Sequence, residues 1–238
     1  MFTAAALVSS PPLLIPELAG GAAAETAGLR VASTDVAARL GELSTRWTAI
    51  GVGRTECEFP ATTSGSFRGY GADVRVALSD EAPEAFDPDL PLAALIAGWL
   101  RAAAPAETVV DAIIVAEDTS PVYCAELGVR LRERLDAEPL NHGVLVVADG
   151  ARTLTAKAPG AFDERAPEAQ GELDRALDSG DTEYLAELDP VACLDIGIEG
   201  RAAWQVLAGL FGRRPRATQT YYQGAPYGVG YHVGMWLP

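Results

Sequence analysis

The chain has 238 residues, 33 acidic against 18 basic, giving a formal net charge of −15 at pH 7 with 49% hydrophobic residues. That negative surplus disfavours nucleic acid and anionic membrane surfaces, both of which need a basic footprint. The hydrophobic share excludes a disordered chain, and the length is enough for one α/β domain or two small ones.

Only Lys157 among the basic residues is a lysine, a usage that fits a GC-rich genome rather than a function. Cys57, Cys124 and Cys193 are widely spaced and odd in number. They form no CxxC or Cys/His ligand spacing, so neither a zinc site nor a disulfide framework is indicated, and a reduced cytoplasmic protein is expected. The first 25 residues are apolar and then small, in the manner of a signal peptide. No basic residue precedes Arg30, however, and Pro11-Pro12 breaks the apolar run, so secretion is not expected. The run from Leu90 to Leu100 is too short to cross a bilayer.

In chain order, Thr3 to Val8 reads as a buried strand, and Ser9-Ser10-Pro11-Pro12 as the loop at its end, because two prolines forbid strand pairing and helix alike. Leu29, Ala32, Val36, Leu40 and Leu43 form a stripe at helical spacing, which predicts a helix over Ala22 to Leu43. Trp47 to Val52 is a second strand. Cys57 to Tyr70 is polar and aperiodic, hence a loop, while Val74 to Leu78 has strand character. Asp80 to Asp89 is an acidic, proline-punctuated connector.

Leu92 to Ala103 reads as an apolar helix, Val109 to Ala116 as a third buried strand, and Val122 to Leu135 as an amphipathic helix. Gly143 to Ala148 is the next strand, aliphatic and without helical spacing. Glu168 to Leu177 and Thr182 to Leu188 read as helices with acidic outer faces, broken by Asp189-Pro190. A last helix, Glu199 to Phe211, ends at Gly212 with a basic Arg213-Arg214-Pro215-Arg216 run suited to its carboxyl end. Thr218 to Trp236 reads as two closing strands with a turn near Gly224 to Gly228, its tyrosines packing the strands. This alternation predicts a three-layer α/β/α sandwich around a mixed, largely parallel sheet.

Ligands in open α/β sheets bind beyond the carboxyl ends of the strands. Asp149, Ala151 and Arg152 follow such a strand, so chemistry is expected there. Gly65, Gly69 and Gly71 lack phosphate-loop spacing, no Gly-x-Ser-x-Gly elbow exists, and Cys193 reads as core.

The same stretch, with Asp149, Leu154-Thr155 and Ala158 to Asp163, resembles the LigB-type (class III) extradiol ring-cleavage dioxygenases. In that family the strand runs into Ser-Gly-Asp-x-Ser-His, then Leu-Thr and Pro-Gly-x-(Tyr/Phe)-Asp. Pro11 to Glu17 is similar to the family's His-Pro-Pro segment, and Ala225 to Tyr231 to its Pro-Phe-Gly-Val-Gly-Tyr ending. The resemblance runs along nearly the whole chain, implying a single LigB-like domain over residues 1–238 and, by analogy, a homodimer.

It also implies where an iron site would be. Ser10 stands in place of one ligand His, Arg54 in place of the second, and Arg152 in place of the acid/base His. Glu199 looks like the carboxylate of the metal triad. Non-haem Fe(II) oxygenases need two imidazoles and one carboxylate on one face of the metal. The chain has only His142, at the end of its strand opposite the active loop, and His232, in the terminal strand where the family carries an ordinary residue, so no metal and no other cofactor is expected. Three readings stay open. The arginines can pair with Glu199 and Asp149 and plug the pocket of a structural or interaction subunit. One of them can keep a free face and bind a small anionic molecule, with Ser9 and Ser10 as further donors at a site of Ser9, Ser10, Arg54, Arg152 and Glu199. Or Glu199, Asp149 and Arg152 can carry metal-independent acid/base chemistry.

Overall fold

The computed structural model describes residues 1–83 and 85–238; Glu84, within the expected acidic connector, lies outside the described residues. Strand β1 (Phe2–Val8) is followed by the short helix α1 (Pro16–Ala19) and the long helix α2 (Ala27–Leu43). Strands β2 (Arg46–Gly53), β3 (Cys57–Phe59), β4 (Ser64–Ser66) and β5 (Arg75–Ala77) precede helix α3 (Leu92–Arg101). Then come β6 (Val109–Ala116), α4 (Pro121–Ala137) and β7 (His142–Val147). Helices α5 (Ala166–Ser179), α6 (Thr182–Ala186), α7 (Pro190–Ile196) and α8 (Arg201–Phe211) lead to the closing strands β8 (Ala217–Gly224) and β9 (Tyr231–Leu237).

Seven strands form one mixed sheet in the order β3-β6-β2-β7-β1-β9-β8, and β4 pairs with β5 in a small second sheet. The central strands β6, β2, β7 and β1 are mutually parallel, while β3 and the β9–β8 pair add antiparallel edges. Parallel strands buried on both faces need apolar side chains in succession, and β7 is buried at every position. One face packs Leu131 of α4, Leu173 of α5, Leu185 of α6, Ile196 of α7 and Trp204 of α8. The other packs Leu29 and Val36 of α2 and Ile96 of α3. The chain is therefore an α/β protein whose central parallel strands are flanked by helices, as its sequence pattern predicts. No helix among the described residues is long and apolar enough to cross a membrane.

Three local expectations need correction. The helix expected from Ala22 begins at Ala27, after a separate 3-10 turn at Gly20–Ala22. Residues 57–70 are not a plain loop: β3 hydrogen-bonds to the edge of β6, β4 pairs with β5, and Phe67–Tyr70 makes a 3-10 turn. Three-residue strands carry no periodic signal, and β3 owes its strand geometry to a partner some fifty residues away in sequence. Asp189-Pro190 does not only break a helix; it starts α7. The Asp189 carboxylate accepts from Ala192 N at 2.7 Å, and Pro190 fills the first helical position, where its missing N–H costs nothing.

Candidate functional site

Because β1, β2, β6 and β7 are parallel, their carboxyl ends meet at one edge of the sheet. There Ser10 follows β1, Arg54 follows β2, Glu117 follows β6 and Asp149 follows β7. Helix α8 brings its amino end to the same place: Gly200 N donates to Asp149 O at 3.1 Å. That approach admits only glycine, since a Cβ on Gly200 would sit 2.5 Å from Asp149 O. The loop after β7 is fixed further by Arg152 N donating to Gly197 O at 3.1 Å and by a bridge between Ala151 and Ile198. Glu199 is thereby held beside Asp149.

These residues surround a cavity of about 370 Å³ whose lining includes Ser10, Arg54, Glu117, Asp149 and Glu199. Asp149 accepts from Ser10 N at 2.7 Å and Ser10 Oγ at 3.0 Å. Burial pushes its carboxyl up to about 6, against the lowering effect of the Ser10 hydrogen bonds and with a smaller upward contribution from the charge of Glu199. Both Ser10 donors are thus spent on Asp149. Arg54 is exposed and has no ion-pair partner among the described residues.

Arg152 lies on the far side of Glu199, with Nε 2.7 Å from Glu199 Oε1. The Nε–H is not aimed at that oxygen and has no hydrogen-bond partner, so the contact is coulombic. With the two side chains 41% and 63% exposed, water screens the pair and it contributes little, on the order of 0–1 kcal/mol. Arg152 borders a second, smaller cavity of about 250 Å³ with Glu117, Cys193, Glu199 and Arg201. Glu117 and Glu199 line both cavities. Burial pushes the Cys193 thiol up to about 11, which suits packing and not nucleophilic attack.

The structure therefore brings Ser10, Arg54, Asp149 and Glu199 together and sets Arg152 one cavity away. Ser9 is placed elsewhere. Its buried hydroxyl accepts from His232 N at 3.1 Å and faces His232 O at 3.3 Å, tying the end of β1 to β9. Among the described residues no three His, Cys, Asp or Glu side chains are grouped to hold a metal ion. His142 opens β7 at the opposite edge of the sheet, and His232 is buried in β9.

Three residues at the site were not singled out in the sequence. Glu117 directly follows the apolar strand β6, so the rule that pointed to Asp149 points to it as well. Gln170 of α5 accepts from Ala151 N at 2.7 Å and donates to Asp174 at 2.8 Å, buttressing the loop after β7. Arg201 is 4% exposed and donates to the carbonyls of Thr119 and Glu117 and to Gln205 Oε1. No spacing announces a glutamine inside α5 or an arginine at the start of α8 whose partners come from distant segments.

The sequence matches no protein-family profile and no curated protein. Among solved structures, the chain is similar to the uncharacterized protein JW3007 from Escherichia coli K12, with a TM-score of 0.56 and 11% sequence identity over 99% of this chain and 100% of that one. At that identity the likeness establishes a shared fold over the full length of both chains.

Proposed function

We propose that this protein is a relative of the LigB-type extradiol dioxygenases that has lost the iron site and binds a small anionic molecule in the cavity at the carboxyl ends of its strands. The observation that carries the reading is Arg54, a guanidinium with no ion-pair partner among the described residues, on the wall of a cavity shared with Ser10, Asp149 and Glu199. A guanidinium presents a planar fork that matches a carboxylate. The remaining polar groups are mostly acceptors, so the favoured ligand is a carboxylate that also carries hydroxyl donors for Glu117, Asp149 and Glu199. The donor set does not fit a ferrous ion: one hydroxyl is spent on Asp149, and a guanidinium cannot coordinate a metal.

One observation favours a second reading. A carboxylate raised to about 6 and facing a cavity is poised as a general base near neutral pH, so Asp149 suits metal-independent proton abstraction. The plugged-pocket reading is supported only at Arg152, whose partner is Glu199.

Titration calorimetry with glycolate, salicylate and 3,4-dihydroxybenzoate tests the proposal. At least one is expected to bind, and Arg54→Ala is expected to weaken it by about tenfold or more, or about 1.4 kcal/mol, with a smaller loss for Arg152→Ala. Absence of binding by all three would leave a plugged, non-binding subunit. Robust ring cleavage of a catechol on addition of Fe(II) would overturn the loss of the iron site.

A further inference from the structure

The opposite, amino-terminal edge of the sheet holds another cavity, of about 330 Å³, that takes no part in the function proposed above. Strand register aligns its polar groups. Trp47 pairs with Gly143, which sets Arg46 of β2 beside His142 of β7; Thr48 pairs with Asp111 of β6, and Ile113 pairs with Glu58 of β3. Paired residues share a face and alternate residues return to it, so Glu58, Asp111, Thr48, Arg46 and His142 stand on one side of the sheet. Arg134 and Glu138, from the carboxyl end of α4, line the same cavity.

His142 is a buried polar side chain on the lining of this cavity. Its side chain is 5% exposed, with Nε2 3.0 Å from Thr48 Oγ1 and Nδ1 without a hydrogen-bond partner. The Glu138 carboxylate is 3.8 Å from Nδ1, beyond hydrogen-bond distance. Nδ1 is itself closed to solvent, so His142 borders the cavity as a fixed, buried ring and its charged neighbours carry the open polar groups.

Charge of both signs is also unspent there. Among the described residues Arg134 and Glu58 have no ion-pair partner, and Arg46 reaches Glu138 only at 3.9 Å. Asp111 uses Oδ1 to accept from Ala61 N at 2.9 Å and keeps its second oxygen. The carboxylates of Glu58 and Asp111 stand on the outer strands, and Arg46 and His142 on the inner ones. Phe59, Pro60 and Ile113 supply apolar wall.

We propose that this cavity binds a zwitterion of the α-amino-acid class with an apolar side chain. The carboxylate takes Arg46 and Arg134, and the ammonium takes Asp111 and Glu58. His142, fixed by its 3.0 Å contact with Thr48 Oγ1, borders the same pocket. The side chain lies against Phe59 and Pro60.

Calorimetry with L-leucine and the other standard amino acids, against propionate and butylamine as one-headed controls, tests this. L-Leucine or another apolar amino acid is expected to bind at least about tenfold more tightly than either control. Arg134→Ala and Asp111→Asn, both at exposed positions, are each expected to weaken it by about tenfold, and the His142 ring resonances are expected to shift on saturation. Arg54→Ala, in the first cavity, is expected to leave this binding unchanged, which separates failure here from failure of the anion site. The proposal is overturned if no standard amino acid binds with a Kd below about 10 mM, if a control binds as tightly, or if Arg54→Ala abolishes binding while Arg134→Ala does not.

Discussion

Asp149 is held where its charge is poorly hydrated and no cation answers it; only the N–H and hydroxyl of Ser10 do. Its carboxyl titrates at about 6 in the folded chain, against about 3.9 when unfolded. Between those values the folded state binds the extra proton. The stability this contributes is complete below about pH 4 and is lost as pH rises through about 6. Asp149→Asn removes the charge and keeps an acceptor for Ser10. The variant is expected to be more stable than the parent at pH 7.5 by roughly 1–2 kcal/mol, and the gap is expected to close at pH 4. Urea unfolding at the two pH values measures this, and a variant weaker than the parent at pH 7.5 would mean that the ionised carboxylate stabilises the loop. Such a cost, placed at a cavity, accords with the site proposed above. Asp149 was legible in the sequence because it ends an apolar strand. Arg152 was legible for the same reason, but its direction was not: whether it turns toward Asp149 or toward Glu199 depends on Gly197, whose missing Cβ makes room for the Arg152 stem.

Helices α4 and α8 touch through glycines. A Cβ on Gly128 would lie 2.2 Å from Val206 O and 2.5 Å from Leu210 N, and one on Gly209 would lie 2.2 Å from Ala125 O. Glycine inside a helix ordinarily costs up to about 1 kcal/mol relative to alanine, so propensity alone favours Gly128→Ala. Backbone contact decides against it: the helices must part, and overpacking costs about 1–3 kcal/mol or more, for a net loss of roughly 1–2 kcal/mol. Gly171→Ala in α5 is the control, since its Cβ meets only Arg175 Nη1 at 3.6 Å. That change is expected to be neutral or stabilising by up to about 1 kcal/mol. Denaturant midpoints of the two variants give the comparison, and a stable Gly128→Ala would mean that α8, and with it Glu199, can shift cheaply. Elements with a long apolar pattern were readable from sequence, and β6 begins and ends where its run of aliphatics does. Strands β3 and β4 were not, because three residues carry no period and become a strand only beside their partner. Helix α7 was hidden because Asp-Pro reads equally as a stop and as a start.

The whole molecule carries an acidic surplus that its local pairs do not neutralise, with a net charge of −15. Several ion pairs, such as Arg68–Asp73 at 2.7 Å and Arg130–Glu126 at 3.6 Å, join side chains half exposed or nearly so. Pairs of that kind contribute on the order of 0–1 kcal/mol each and are weakened by salt. Repulsion among the unmatched carboxylates is spread over the surface and is screened more effectively, since the Debye length falls to about 10 Å at 0.1 M salt. The two effects oppose each other, and the surplus of 33 acidic over 18 basic residues makes repulsion the larger. The melting temperature at pH 7 is therefore expected to rise by roughly 2–4 °C, equivalent to about 1 kcal/mol, as NaCl increases from about 20 to about 300 mM. A thermal scan over that range is the check. A fall in melting temperature would show that the surface pairs outweigh the repulsion, and that Arg54 and Arg134 sit in a field much less negative than the composition implies.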